Sequence, residues 1–330
     1  MSGREDVEGS RPAPRARPAA VAGTFYPGGA GMLADLVDDL LAEAARVHPT
    51  PTGAAAHPLG ILVPHAGLVY SGLVAATAWR LLGEAGSAGT GSDATPRVVT
   101  GPDPAPVGEA ARSATVVMLG TNHGAAWLDG VGAWDGGPWW TPLGEVGPDA
   151  ELARAIVDLG PPFAADARCH LGEHSLEVQL PLLRRVAPHA RIAPLSVGAG
   201  TGRRAIEAGE RLGTLLAARR MAGAPIVLAI SSDMAHYPAA VVAERVTSML
   251  VPHIVGLAPE ALAAAETEVT WIEPGVSCGM CGIEPTVLGL AALRTMGARP
   301  GTVLAAATSA DAGGDPHRTV GYLAVAFPAA

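Results

Sequence analysis

Thr115-Val116-Val117-Met118-Leu119-Gly120, running into Thr121-Asn122-His123-Gly124, is the stretch that decides the fold. A strand with one wet face alternates apolar and polar residues, whereas Val116 to Leu119 are apolar without a break, as suits a strand covered on both faces. It is also too short for a helix, because a sharp polar turn carrying His123 ends it. The pattern returns twice. Gly60-Ile61-Leu62-Val63 ends at Pro64-His65-Ala66-Gly67, and Ile226-Val227-Leu228-Ala229-Ile230 ends at Ser231-Ser232-Asp233-Met234-Ala235-His236.

Helical patterns lie between these runs. Leu33, Leu36, Val37, Leu40 and Leu41 keep a 3-4 spacing, which predicts an amphipathic helix. Further helices are expected over 73–83, 150–159, 204–219, near 240–250 and 259–266, and over 286–296. Strands are expected over 192–197, 303–308 and 320–327, with short ones inside the Trp/Gly-rich 126–146. Strands alternating with helices give an α/β fold, a central sheet flanked by helices on both faces. Residues 1–16, polar and rich in Pro and Arg, read as a disordered tail. Residues 84–113, rich in Gly, Ser, Pro and Thr, read as a flexible surface insertion. What remains is one α/β domain over 17–330.

Composition narrows the function. The 330 residues are 49% hydrophobic and 16% charged, enough apolar mass for a large core. The formal charge is −9 without a basic stripe, which argues against nucleic acid as a partner. All 22 basic residues are Arg. Without Lys there is no Schiff base, no pyridoxal phosphate anchor and no Walker P-loop. No apolar run is long enough to span a membrane, and the N-terminus lacks a signal-peptide core, so a cytoplasmic protein is expected. Three Cys do not make a disulfide framework.

In α/β sheets ligands gather at the carboxyl ends of strands. If the three strands are neighbours, His65, His123 and His236 converge there, and imidazole is a common metal ligand. Any one His after a strand, taken alone, is more often a capped or hydrogen-bonded loop residue. Gly67 and Gly124 would let the backbone pass close to a ligand. Glu173-His174-Ser175-Leu176-Glu177 is dense in titratable groups. On a helix, Glu173 and Glu177 would share one face. They would either orient metal-bound His or stabilise a helix start. Cys278-Gly279-Met280-Cys281 offers a redox dithiol or a single thiolate completing a His-His site, and with no second Cys pair it is not a zinc ribbon. Cys169 reads as a buried, inert thiol. Ser231, Ser232 and Asp233 do not form a hydrolase site, because no Gly-x-Ser-x-Gly elbow is present.

Several blocks in order resemble the Memo family, known in microbes as AmmeMemoRadiSam system protein B. They are AGTFYPGG at 22–29, PHAGLVYSG at 64–72, LGTNHG at 119–124, TPLGEV at 141–146, HLGEHSLEVQLPLL at 170–183, SSDMAHY at 231–237, CGIEP at 281–285 and VGYLAVAF at 320–327. The resemblance implies a mixed sheet like that of class III extradiol ring-cleavage dioxygenases. It implies a metal, iron(II) first and copper second, held by His65, His123 and Cys281. By the same resemblance His236, Asp233 and His174 are active-site residues, with His236 as the acid/base. The activity implied is that of a dioxygenase-type or redox enzyme on an unidentified small molecule. The alternative is a non-catalytic metal-binding or redox partner of a radical SAM enzyme and an AMMECR-type protein. Cys278 departs from the family pattern and could compete for the metal or pair with Cys281.

Overall fold

A computed structural model describes residues 16–48, 57–87 (84–87 as backbone only), 114–198, 203–273 and 275–330. The strands are β1 (Pro58–Val63), β2 (Thr115–Thr121), β3 (Val131–Ala133), β4 (Trp139–Thr141), β5 (Gly144–Val146), β6 (Phe163–Ala165), β7 (Arg191–Val197), β8 (Ile226–Ser231), β9 (Thr302–Thr308) and β10 (Gly321–Pro328). Eight of them form one sheet in the order β6-β3-β7-β2-β8-β1-β10-β9, and β4 and β5 pair separately. β7, β2, β8 and β1 run parallel. β10 and β9 add to one side antiparallel, and β3 pairs antiparallel with β7 on the other, so the sheet is mixed.

The helices are α1 (Ala30–Val47), α2 (Leu68–Ser87), α3 (Ala150–Val157), α4 (Leu180–Val186), α5 (Arg203–Met221), α6 (Ala240–Val255), α7 (Pro259–Ile272) and α8 (Ile283–Thr295). Side chains along a strand alternate between faces, and β2 shows what this does. Val117 and Leu119 pack with Leu212 of α5, Leu250 of α6 and Leu288 of α8, whereas Val116 and Met118 pack with Val37 of α1, Trp79 of α2 and Leu182 of α4. Every residue of β2 is buried, and each such apolar side chain contributes roughly 1.5–3 kcal/mol on leaving water. The α/β architecture with helices on both faces is therefore as the sequence indicates. No helix among the described residues is long and apolar enough to cross a membrane.

Some local expectations change. β6 is a three-residue edge strand, too short to leave a periodic signal. α2 starts at Leu68 and continues to Ser87, into the stretch read as an insertion. Residues 88–113, and residues 1–15 of the tail, lie outside the described residues. Glu173 and Glu177 do not share a helix face: Glu173 sits in a turn, and Glu177 opens the 3₁₀ turn Glu177–Gln179. The Glu173 carboxylate accepts the amides of the next two residues, His174 at 2.9 Å and Ser175 at 2.8 Å. Such local bonds compete with helical ones.

Glu177 instead anchors the N-terminal segment. Its buried carboxylate accepts from Arg17 Nη1 at 2.6 Å, from the amides of Ala20 and Val21 at 2.8 and 2.9 Å, and from the Tyr26 hydroxyl at 2.6 Å. Arg17 also donates to the carbonyls of His170 and Glu173 and lies 4.1 Å from the Trp139 ring centroid. The hub fixes the chain leading to Phe25, whose ring is 4.7 Å from that of His174.

Candidate metal centre

β2, β8 and β1 are consecutive in the sheet and parallel, so the loops bearing His123, His236 and His65 emerge side by side. The β8 loop holds the β1 loop. Ser232 N donates to Val63 O at 2.9 Å, and the amides of His65 and Ala66 donate to Asp233 Oδ1 at 2.7 and 3.2 Å.

A buried chain of hydrogen bonds fixes the His65 tautomer. Trp79 Nε1 donates to Gln179 Oε1 at 2.8 Å, which leaves Gln179 Nε2 to donate to Pro64 O and to Ser231 Oγ. The Ser231 hydroxyl proton goes to Ser175 O at 2.7 Å. Ser231 Oγ can then only accept from His65 Nδ1, 3.0 Å away. The proton thus sits on Nδ1, and the His65 Nε2 lone pair is free. Burial, then the neighbouring His123, pushes the His65 pKa down to about 3, so the ring is neutral near pH 7.

His123 is set by a carboxylate. Its Nδ1 lies 2.9 Å from Glu173 Oε1, and its amide donates to Glu173 Oε2 at 2.6 Å. Burial alone would raise the Glu173 pKa, but the hydrogen bonds and charge of His123 and the Ser175 amide outweigh it and hold it at about 2. A carboxylate on Nδ1 leaves Nε2 as the donor to a metal, the arrangement usual for metal-ligating His. Gly120 makes this approach possible: a Cβ there would sit 2.6 Å from Ser175 Oγ and Leu176 Cδ2. Gly124 faces open space, so close packing does not explain it.

Cys281 comes from the loop before α8. Its amide donates to Asp233 O at 3.1 Å, and Gly282 N donates to Ser232 Oγ at 2.9 Å. A Cβ on Gly282 would lie 2.6 Å from Ser232 Cβ, so only glycine lets the Cys loop lie on the end of β8. Cys281 Sγ is 3.2 Å from His65 Nε2, the thiol facing the free lone pair. Burial, then the charge of Asp233, raises this thiol well above its ordinary pKa. A metal would displace its proton.

One ligand atom each from His65, His123 and Cys281 lies within 4.8 Å of the others, a group that could hold one metal ion. His123, Glu173 and His174 form a second such group, but there the carboxylate is taken up by three amides and the His123 ring. Cys278 belongs to neither group; it is a free thiol, as is Cys281. Burial raises both thiols, the opposite of what a reactive dithiol requires. Cys169 is buried, free and raised to about 11, first by burial.

The three other singled-out residues surround the group. His174 stacks on His123 with ring centroids 4.5 Å apart. His236 Nε2 is buried without a hydrogen-bond partner, 3.9 Å from Asp233 Oδ2, while Asp233 Oδ1 serves the His65 loop. Burial lowers the pKa of both His174 and His236. A cleft of about 520 Å³ opens over the site, lined by these residues with Phe25, Tyr70, Tyr237, Tyr322 and Arg318. Sequence reading passed over Trp79 and Gln179; a Gln inside an otherwise apolar run is the signal that would have exposed the second.

Among known families, residues 17–90 and 105–326 match the Memo-like protein family. The chain belongs to that family. A MEMO1 family protein of Methanopyrus kandleri is 32% identical over 318 residues, covering 94% of this chain and 98% of the relative. One from Aquifex aeolicus is 32% identical over 315 residues, covering 95% and 99%. An uncharacterized protein of Escherichia coli K12 overlays at a TM-score of 0.47 and 16% identity, over 81% of this chain and 98% of that one.

Proposed function

We propose that this Memo-like protein is a non-haem metalloenzyme of oxidoreductase type. His65, His123 and Cys281 hold a single iron(II), with copper as the alternative, and a small molecule binds in the cleft above. The observation that carries this reading is the pair of imidazoles whose Nδ1 protons are each committed, one to Ser231 and one to Glu173. Both Nε2 lone pairs are thereby prepared for one ion beside a thiol. Two imidazole nitrogens and a thiolate suit iron or copper rather than magnesium or calcium, which take oxygen ligands.

Bound there, such a metal supplies Lewis acidity and one-electron chemistry to an oxygen-bearing substrate. The protein's own contribution is positional. Glu173 and the Trp79-Gln179-Ser231 chain orient the ligands. His236, neutral and without a partner on Nε2, is the group suited to take a proton from a substrate hydroxyl. His174 and Phe25 wall the cleft.

Oxygen uptake by the iron-loaded protein with a panel of catechols, run beside His65→Ala, tests the enzymatic reading. Uptake that His65→Ala abolishes supports it. A second reading, a metal-binding redox partner without turnover, draws on the thiol itself, which replaces the carboxylate of the related extradiol enzymes. Full metal loading with no uptake on any catechol would favour that reading.

A further inference from the structure

Arg318 is the cationic residue lining the cleft. Its guanidinium carbon lies 4.5 Å from the Tyr237 ring centroid. Among the described residues it has no ion pair, and the nearby Asp315 carboxylate accepts the His317 amide at 2.8 Å instead. A guanidinium stacked on an aromatic face keeps its edge free, and that edge matches a carboxylate with two parallel hydrogen bonds.

The stack is built into the fold. Tyr237 N donates to Thr319 O at 2.6 Å, and Thr319 returns its amide to Pro238 O at 2.8 Å and its hydroxyl to the same oxygen at 3.0 Å. One residue further, His236 pairs with Val320. Arg318 is thus tied through Thr319 to the segment carrying His236. Tyr237 has φ +70°, a conformation a bulky L residue rarely adopts and keeps only where its surroundings enforce it.

Asp233, Ser309 and Asp315 also line the cleft, as do the aromatic side chains of Phe25, Tyr70 and Tyr322. A volume of about 520 Å³ lies in the range of small-molecule sites. We infer that the cleft takes a small aromatic carboxylate, its ring among these side chains and its anionic group on Arg318. This rests on the reading of the cleft as a substrate site.

Calorimetric titration of the full-length, metal-loaded protein with benzoate and with benzamide, its neutral isostere, tests the inference. Wild type should bind benzoate at least tenfold more tightly than benzamide. Arg318→Ala should erase that preference, weakening benzoate at least tenfold more than it weakens benzamide. Arg318 is exposed, so folding is not at issue, and metal content measured on the same samples reports on the centre separately. Retained metal with a benzoate preference that survives Arg318→Ala, or with no benzoate binding at millimolar ligand, overturns the inference and leaves the metal reading standing. A benzoate preference lost in Arg318→Ala but preserved in metal-free His65→Ala supports the inference even if the metal reading fails.

Discussion

The Sγ of Cys281 lies 3.2 Å from Nε2 of His65, although 216 positions separate them in the chain. β8 makes the meeting possible, because the residues after it hold both loops: Asp233 takes the His65 and Ala66 amides through its side chain and the Cys281 amide through its carbonyl. Removing the glycine that lets the Cys loop approach should therefore loosen the centre. Gly282→Ala would place a Cβ against Ser232 Cβ and the Ser231 carbonyl. We expect a stability loss of about 1–3 kcal/mol and metal affinity at least tenfold weaker in a chelator competition. Unchanged affinity would show that the loop position does not matter.

Glu173 is expected to govern metal affinity without ligating. Glu173→Gln can keep a carbonyl oxygen for the His174 and Ser175 amides but turns an NH2 toward the His123 amide and removes the charge opposite His123 Nδ1. Loss of such an outer partner weakens metal binding roughly 10–100-fold. Chelator competition reads this directly, and an effect below threefold would count against the orientation argument.

The N-terminal anchor should be structural. Breaking the buried Arg17–Glu177 pair by Arg17→Met leaves a charged carboxylate in the core, at a cost of about 3–5 kcal/mol. Urea denaturation should show this, with part of the loss recovered in Arg17→Met/Glu177→Leu. A single variant as stable as wild type would refute the role of the pair.

His170 supplies a pH dependence away from the metal ligands. Its Nε2 donates to Gly132 O, its Nδ1 is buried without a partner, and burial lowers its pKa to about 4. The unfolded imidazole takes a proton near 6.5 and the folded one only near 4. Between these values the unfolded state binds more protons, so stability falls as pH drops. The ceiling is about 3 kcal/mol, at ~1.4 kcal/mol per pH unit. His65 and His174 act in the same direction, so His170→Gln should show a shallower loss from pH 7 to 4.5, not a flat profile. Parallel profiles for the two proteins would contradict the assignment.

The strands carrying His65, His123 and His236 were legible because burial on both faces removes polar alternation from a strand, and β1, β2 and β8 show this. Their adjacency was not legible, since strand order is a tertiary property. Glu173 and Glu177 stood out as a pair, yet spacing alone suggested a shared helix face. What separates them is a long-range partner: Arg17 binds Glu177 across 160 positions, and no local pattern records that. Cys278 and Cys281 were equivalent by residue type. The family resemblance favoured Cys281, and the structure places its sulfur, not that of Cys278, against His65.

The central claim is that His65, His123 and Cys281 together hold one metal ion. Its most direct test is the metal stoichiometry, with the X-ray absorption edge and ligand shell, of protein purified without oxygen and loaded with iron(II). Wild type and Cys278→Ser should retain one ion per chain with sulfur and nitrogen neighbours. His65→Ala, His123→Ala and Cys281→Ser should each lose the ion or, for Cys281→Ser, the sulfur. No retained metal in wild type, or an unaltered shell in Cys281→Ser, would contradict the account.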